Sequence, residues 1–310
     1  MLVLGEKYTF TALELERLDK KFKNITFMPY KGEDPEVIRE SITKVLNAHN
    51  YTLIVLNTKA KVDNTLIRFL THIKFDEKFK HIRFLDIGHF LEEYLHKCYI
   101  PQDHTDLHYL HSITPYSKFQ YVQKRAVDFF GIFWLYLFSF VVMKKCAKRI
   151  VEESPGPVYF KQERVGYMNQ DFNCVKFRSM HTDTEFFNHY TQKDDPRIFP
   201  WGQVMRKRRY DELPQMKNIL KGEMHLMGPR AEWNQLVKEY EDQVPYYAQR
   251  HIVAPGITGW AQVMYPYGEN VEDSRQKLMY DLYYIKHWSL ALEFKIIWKT
   301  AMVVLHKKGV

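Results

Sequence analysis

Short apolar runs and amphipathic stretches alternate through the first hundred residues. Residues 25–28, 51–56 and 82–85 are apolar with β-branched members. Residues 13–22, 35–48 and 64–73 space their apolar positions as helices do. Pro35 suits a first helical turn, with Asp34 as its cap. Strands alternating with helices of this length predict βαβ units and a parallel sheet, a Rossmann-like domain over residues 1–100. It has no GxGxxG, so nucleotide binding is not supported, and a regulatory or packing role is expected.

Residues 101–120 read as a linker. His104, His108 and His111 would share one face of a helix, but no Glu or Cys completes a metal set of known spacing, so a polar connector is expected. The pattern then changes. Residues 126–143 hold one charge, Asp128, and many aromatic side chains. Lys124 and Arg125 precede the run, and Lys144, Lys145, Lys148 and Arg149 follow it. As a straight helix it would reach about 27 Å, just short of a hydrocarbon core of about 30 Å. Cations at both ends fit poorly with simple spanning, because Lys and Arg favour the cytoplasmic side. A membrane helix over 124–148 that dips in and returns would keep both clusters on one face, within a domain over 121–310. Residues 289–306 form a closing helix, apolar with Lys295 and Lys299 interspersed. It suits the lipid interface or protein packing equally.

Composition sharpens this picture. The chain has 310 residues, enough for two domains, and its 15% aromatic content favours interfaces with protein or lipid headgroups. Residues 1–115 carry 16 basic and 16 acidic side chains, whereas residues 116–310 carry 29 and 21, the whole net charge of +8. The second part therefore meets something anionic: a membrane surface, a phosphorylated substrate or nucleic acid. Cys98, Cys146 and Cys174 are scattered and form no CxxC, which fits a reducing compartment. The first ten residues show no signal-peptide pattern.

The densest chemistry lies in residues 206–230. Four cations, Arg206, Lys207, Arg208 and Arg209, precede the acid pair Asp211-Glu212, and Gly228-Pro229-Arg230 closes the stretch. A carboxylate beside cations can attack phosphorus or hold a divalent metal while guanidinium groups take phosphate charge. The same residues also read as a solvated basic helix start before a turn at Leu213-Pro214. A non-enzymatic binder of membrane or nucleic acid is the alternative function, but it does not explain why the acids sit next to the cations.

From Lys124 onward the chain resembles bacterial sugar transferases of the polyprenyl-phosphate phosphoglycosyl transferase superfamily. The motifs run in order. Lys124-Arg125-x-x-Asp128 opens an apolar helix. Gly156-Pro157-Val158-Tyr159-Phe160-Lys161-Gln162-Glu163-Arg164-Val165-Gly166 and Lys176-Phe177-Arg178-Ser179-Met180 follow. Then come Asp195-Pro196-Arg197, Asp211-Glu212-Leu213-Pro214-Gln215 and Gly228-Pro229-Arg230-Ala231-Glu232. Pro255-Gly256-Ile257-Thr258-Gly259-Trp260 and Asp281-Leu282-Tyr283-Tyr284-Ile285 close the series. Residues 1–100 are similar to the Rossmann-like domain of the family's large members. The four membrane helices usual there are absent from this sequence, so it looks like a shortened form.

The resemblance implies an α/β protein: a Rossmann-like domain followed by a helix-rich α+β monotopic membrane domain with a re-entrant helix. It implies transfer of sugar-1-phosphate from a UDP-sugar to undecaprenyl phosphate, releasing UMP, as the first membrane step of capsule, O-antigen or exopolysaccharide synthesis. Carried over, Asp211 is the nucleophile of a covalent intermediate and Glu212 helps it hold Mg²⁺. Arg178 and Arg230 are expected phosphate clamps, with Lys176 and Arg197 behind them. Lys124, Arg125, Asp128 and Ser139 are expected to anchor the chain to an anionic phospholipid membrane. The expected location is the cytoplasmic face of the bacterial inner membrane, with a homodimer as in the large members and no nucleic-acid partner. One departure stands out. The family's helix breaks at Ser-Pro, whereas this chain has Ser139-Phe140, so a bend would need Ser139 bonding back to the backbone or tertiary contacts. Residues 181–193 and 264–274 are the expected specificity loops.

Overall fold

A computed structural model describes residues 1–30, 34–58, 62–101, 111–182, 195–265, 268 and 270–305. His104, His108, residues 183–193 of the first expected specificity loop and residues 266, 267 and 269 of the second lie outside the described residues. The chain divides into two compact units, Met1–Tyr99 and Ile100–Val310.

In the first unit β1 (Leu2–Leu4), β2 (Thr26–Met28), β3 (Leu53–Leu56) and β4 (Arg83–Asp86) pair in parallel in the order β2-β1-β3-β4. α1 (Ala12–Asp19), α2 (Pro35–Ala48) and α3 (Asn64–Ile73) connect them, and the short α4 (Ile87–Phe90) follows β4. The Asp34 carboxylate accepts from the Glu36 amide at 2.9 Å and so starts α2 at Pro35. Ile38, Ile42, Leu46, Leu66 and Leu70 from α2 and α3 bury one apolar stripe against Leu2, Leu4 and Ile54.

A parallel sheet of this kind binds ligands where the strand order reverses, here between the C-terminal ends of β1 and β3. That place is filled by the chain itself. Gly5 (φ 98°) approaches so closely that a Cβ there would lie 2.5 Å from the Asn57 carbonyl oxygen. The buried Asn57 side chain bonds the Tyr8 amide and carbonyl, each at 2.8 Å.

The second unit is built on α5 (Lys118–Glu153), 36 residues opened by a Ser117–Gln120 capping box. Its helical backbone continues through Ser139-Phe140, and the buried Ser139 Oγ has no hydrogen-bond partner, so this hydroxyl does not break the helix. Lys124, Asp128, Ile132, Ser139, Cys146 and Ile150 form a buried stripe along it, while Phe130, Phe133, Phe138 and Val141 are exposed on its other faces. Against the stripe pack the antiparallel hairpin β5 (Tyr159–Val165) and β6 (Asp171–Phe177), α6 (Pro200–Lys207), the 3-10 helix Tyr210–Gln215 and α7 (Met216–Lys221).

A short parallel pair, β7 (His225–Met227) and β8 (Gly256–Thr258), follows. Their glycines are there for contact. A Cβ on Gly256 would stand 2.1 Å from the Gly228 amide nitrogen, so the GPR and PGITG motifs are two backbones pressed together. α8 (Asn234–Gln243), α9 (Trp260–Met264), α10 (Val271–Lys286) and α11 (Leu290–Leu305) complete the unit.

Three of the expected membrane anchors direct their polar groups into the domain. Lys124 is fully buried and donates to Glu293 of α11 at 2.7 and 2.8 Å and to the Tyr284 hydroxyl of α10 at 2.8 Å. Asp128 accepts from the Leu226 amide at 2.9 Å and lies 2.6 Å from His225 Nδ1. Arg125 donates to the Ile219 carbonyl at 2.8 Å and to Asp128 at 3.2 Å. A charge on an apolar helix costs too much to leave unpaired away from water, so these three bond the helix to its own domain.

Candidate active site

The 3-10 helix Tyr210–Gln215 presents the acid pair. Arg209 turns the chain into it with a left-handed backbone (φ 58°), a conformation that costs a non-glycine residue about 1 kcal/mol or more. In a helix with three residues per turn, neighbours point about 120° apart. Asp211 and Glu212 accordingly meet different surroundings.

Glu212 is buried among cations drawn from three segments. Its Oε1 lies 3.4 Å from Lys176 Nζ on β6, 3.5 Å from Arg209 and 3.7 Å from Arg230. Burial works to raise its pKa, but Lys176, Arg230 and Arg209 outweigh burial and hold it down at about 2. Glu212 is therefore ionised at any physiological pH. Burial pushes Lys176 the other way, below the usual lysine range.

Asp211 is pushed up, first by burial and then by the Glu212 charge, while Lys176, Arg206 and Arg209 hold it back. Its Oδ1 is buried without a hydrogen-bond partner. A bare buried oxygen of this kind costs about 1–3 kcal/mol unless something meets it. Both carboxyls feel Lys176 on the hairpin, and Asp211 also lies within electrostatic reach of the buried Cys146 on α5. Among the described residues no three His, Cys, Asp or Glu side chains converge into a complete metal cage. Two adjacent carboxylates, one with an unmet oxygen, nonetheless suit Mg²⁺, which commonly takes one or two carboxylates and leaves its other positions to phosphate and water.

Of the expected phosphate clamps, Arg230 and Lys176 reach the acid pair. Arg178 does not. Its guanidinium donates to the Pro157 carbonyl at 2.7 Å, the Ser154 hydroxyl at 2.6 Å and the Ser154 carbonyl, which fastens the chain leaving α5. Arg197 is paired with Asp195, with Nε 2.9 Å from Oδ1. Sequence reasoning passed over Arg209 as a partner of Glu212 and left Arg164 aside. The signal for Arg209 was present, since it stands three residues before Glu212, one helical turn away. No local signal marks Glu293 or His225 as partners of α5.

Residues 119–307 match the family of bacterial sugar transferases. The chain is 43% identical over 205 residues to a UDP-N-acetylgalactosamine-undecaprenyl-phosphate N-acetylgalactosaminephosphotransferase of Aeromonas hydrophila, covering 66% of this chain and 48% of that protein. It is 36% identical over 191 residues to a UDP-glucose:undecaprenyl-phosphate glucose-1-phosphate transferase of Escherichia coli K12, covering 60% and 41%. It is 37% identical over 188 residues to the exopolysaccharide production protein PSS of Rhizobium leguminosarum bv. phaseoli, covering 58% and 94%. The match to the first two thus spans about half or less of those longer proteins. With its motifs ordered along residues 119–307, this chain belongs to the bacterial sugar transferase family.

Proposed function

We propose that the protein transfers sugar-1-phosphate from a UDP-sugar to undecaprenyl phosphate by way of an aspartyl-phosphosugar on Asp211. One observation carries the reading: a buried carboxylate oxygen without a partner stands beside a second carboxylate held ionised by three cations. In the first displacement an Asp211 oxygen attacks the phosphorus that bears the sugar. The bond from that phosphorus to the bridging oxygen breaks, and UMP leaves with the oxygen and its electron pair. In the second, an oxygen of undecaprenyl phosphate attacks the same phosphorus and the carboxylate departs, leaving a polyprenyl diphosphate sugar. Splitting the exchange keeps two bulky anions from having to occupy the site together.

Asp211 and Glu212 would hold Mg²⁺, which when bound offsets charge on the diphosphate. Lys176 and Arg230 lie where they can take phosphate oxygens, and Arg209 keeps Glu212 ionised.

The shape of α5 supports a location at the cytoplasmic membrane face. Its buried stripe runs from Lys124 to Ile150, about 39 Å of helix, with the domain packed along that length. Were the helix to cross a bilayer upright, polar groups of the domain would be dragged into hydrocarbon. The helix instead lies against the cytoplasmic face with both ends on that side, with Phe130, Phe133 and Phe138 in lipid and the site held at headgroup depth. Phe294 and Trp298 of α11 are exposed aromatic side chains suited to the same lipid interface.

With UDP-sugar and undecaprenyl phosphate supplied, Asp211→Asn should lower UMP release by about 10³-fold or more. Wild-type protein given UDP-sugar without acceptor should gain the mass of one sugar phosphate on the peptide carrying Asp211. Turnover retained by the variant would exclude Asp211 as nucleophile.

A further inference from the structure

The backbone beneath Arg230, whose side chain reaches to 3.7 Å from Glu212, is held at four successive carbonyls. Pro229 accepts from the Gly256 amide at 2.9 Å, Arg230 from Arg250 Nη2 at 2.8 Å, Ala231 from Arg164 Nη1 and Glu232 from the Val165 amide at 3.1 Å. Arg250 comes from the 3-10 helix Tyr247–Ile252, and its guanidinium is itself buried. Nη1 donates to the Tyr247 hydroxyl at 2.6 Å, and Nη2 lies 2.8 Å from the buried Asp281 carboxylate of α10. Asp281 opens the Asp281-Leu282-Tyr283-Tyr284-Ile285 motif, which the chemistry above leaves unused. As glue for the fold, this ion pair is poor. Both ions lose their water, and Arg250 Nε is buried with no hydrogen-bond partner. Apolar side chains would pack there as well or better. They could not, however, grip the carbonyl at the root of Arg230.

We infer that Arg250, held by Asp281 and Tyr247, is a positioning residue that aims the Arg230 guanidinium at Glu212 and at the transferred phosphate. Its effect on rate rests on the proposed reaction; its hold on Arg230 does not. Arg250 acts through the Arg230 backbone rather than on a reacting atom. A long side chain magnifies any tilt of the backbone that carries it, and a displacement of about 1 Å at a catalytic group can cost about 100-fold in rate. Tyr247 and Asp281 fix the planar fork in the orientation that reaches the Arg230 carbonyl.

Two variants of the full chain in lipid nanodiscs separate aiming from packing. Arg250→Met with Asp281→Ala removes both buried ions, and it should melt closer to wild type than Arg250→Met alone. Its UMP release from UDP-sugar and undecaprenyl phosphate should nonetheless fall about 10- to 100-fold in kcat/KM. Arg250→Lys keeps the charge opposite Asp281 but gives up the fork, and it should lose activity while staying folded. In an Arg230→Ala background neither change should cost further activity, because no guanidinium is left to aim. A pair that only packs gives the opposite pattern. Wild-type rates in either variant, or losses that multiply with Arg230→Ala, overturn the assignment. A second measurement needs no turnover. The stability coupling between Arg230→Met and Glu212→Gln, read as a thermodynamic cycle, should shrink in Arg250→Lys. An unchanged coupling refutes the hold on Arg230. If the wild type released no UMP from any UDP-sugar, the proposed transfer would fall, and this coupling would still decide the role of Arg250.

Discussion

At the scale of single residues, the site rests on an imbalance between two neighbouring carboxyls. Glu212 is over-supplied with cations, and Asp211 is left with an oxygen that nothing in the fold satisfies. The first has a measurable consequence for stability. The Glu212 pKa is about 2 when folded, against about 4.3 for an ordinary glutamate. A carboxyl depressed on folding contributes stability that is fully present above its unfolded pKa and fades as pH falls toward the folded one. Glu212 should thus contribute on the order of 3 kcal/mol at neutral pH, vanishing between about pH 4.3 and 2. Glu212→Gln should melt well below wild type at pH 7, with the gap roughly halved near pH 3 and closing toward pH 2, read as thermal midpoints in the same lipid. A gap that stays constant with pH would show that the cations do not act through the Glu212 charge.

At the scale of elements, α5 exposes an apolar face on one side and serves as a beam of its domain on the other. Its charged residues near the start serve the second role, most clearly Lys124, which meets Glu293 from the far end of the chain. Burying such a pair costs both ions their water, so breaking it by removing one partner is worse than replacing both with apolar groups. Lys124→Met or Glu293→Met alone should each destabilise by about 3–5 kcal/mol, while the double substitution should recover much of that loss. Additive penalties across the thermodynamic cycle would mean that the two groups do not depend on each other. The elements themselves were largely legible beforehand. The apolar run, the Asp34 cap and the helices over 35–48 and 64–73 follow from local periodicity, which depends on neighbours a few residues away. Strand β1 escaped notice because three residues at a chain start carry too short a pattern.

At the scale of the whole molecule, the proposed reaction depends on how α5 would lie relative to a bilayer, because that arrangement would set how a lipid-bound acceptor reaches Asp211. If both ends of the helix stay cytoplasmic, cysteines introduced one at a time at the exposed Ser117 and Pro155 should react equally with a membrane-impermeant maleimide added to that side, and neither from the other. The native Cys98, Cys146 and Cys174 are buried and should give little background. Labelling of the two ends from opposite sides would establish a spanning helix.

The amino-acid sequence alone determined the two-part organisation, the apolar helix and the ordered motifs of the transferase family, because each is written in residues close along the chain. The acid pair and its neighbouring Arg209 are also local. Tertiary structure decided which cations serve the pair. Lys176 meets Glu212 across 36 positions and Lys124 meets Glu293 across 169, so no spacing rule could connect them. Arg178 and Arg197 carry the same charge as Arg230, yet packing turns their guanidinium groups toward carbonyls and Asp195. Residue type sets what a side chain can bind; the direction of the backbone beneath it and the atoms packed around it set what it does bind.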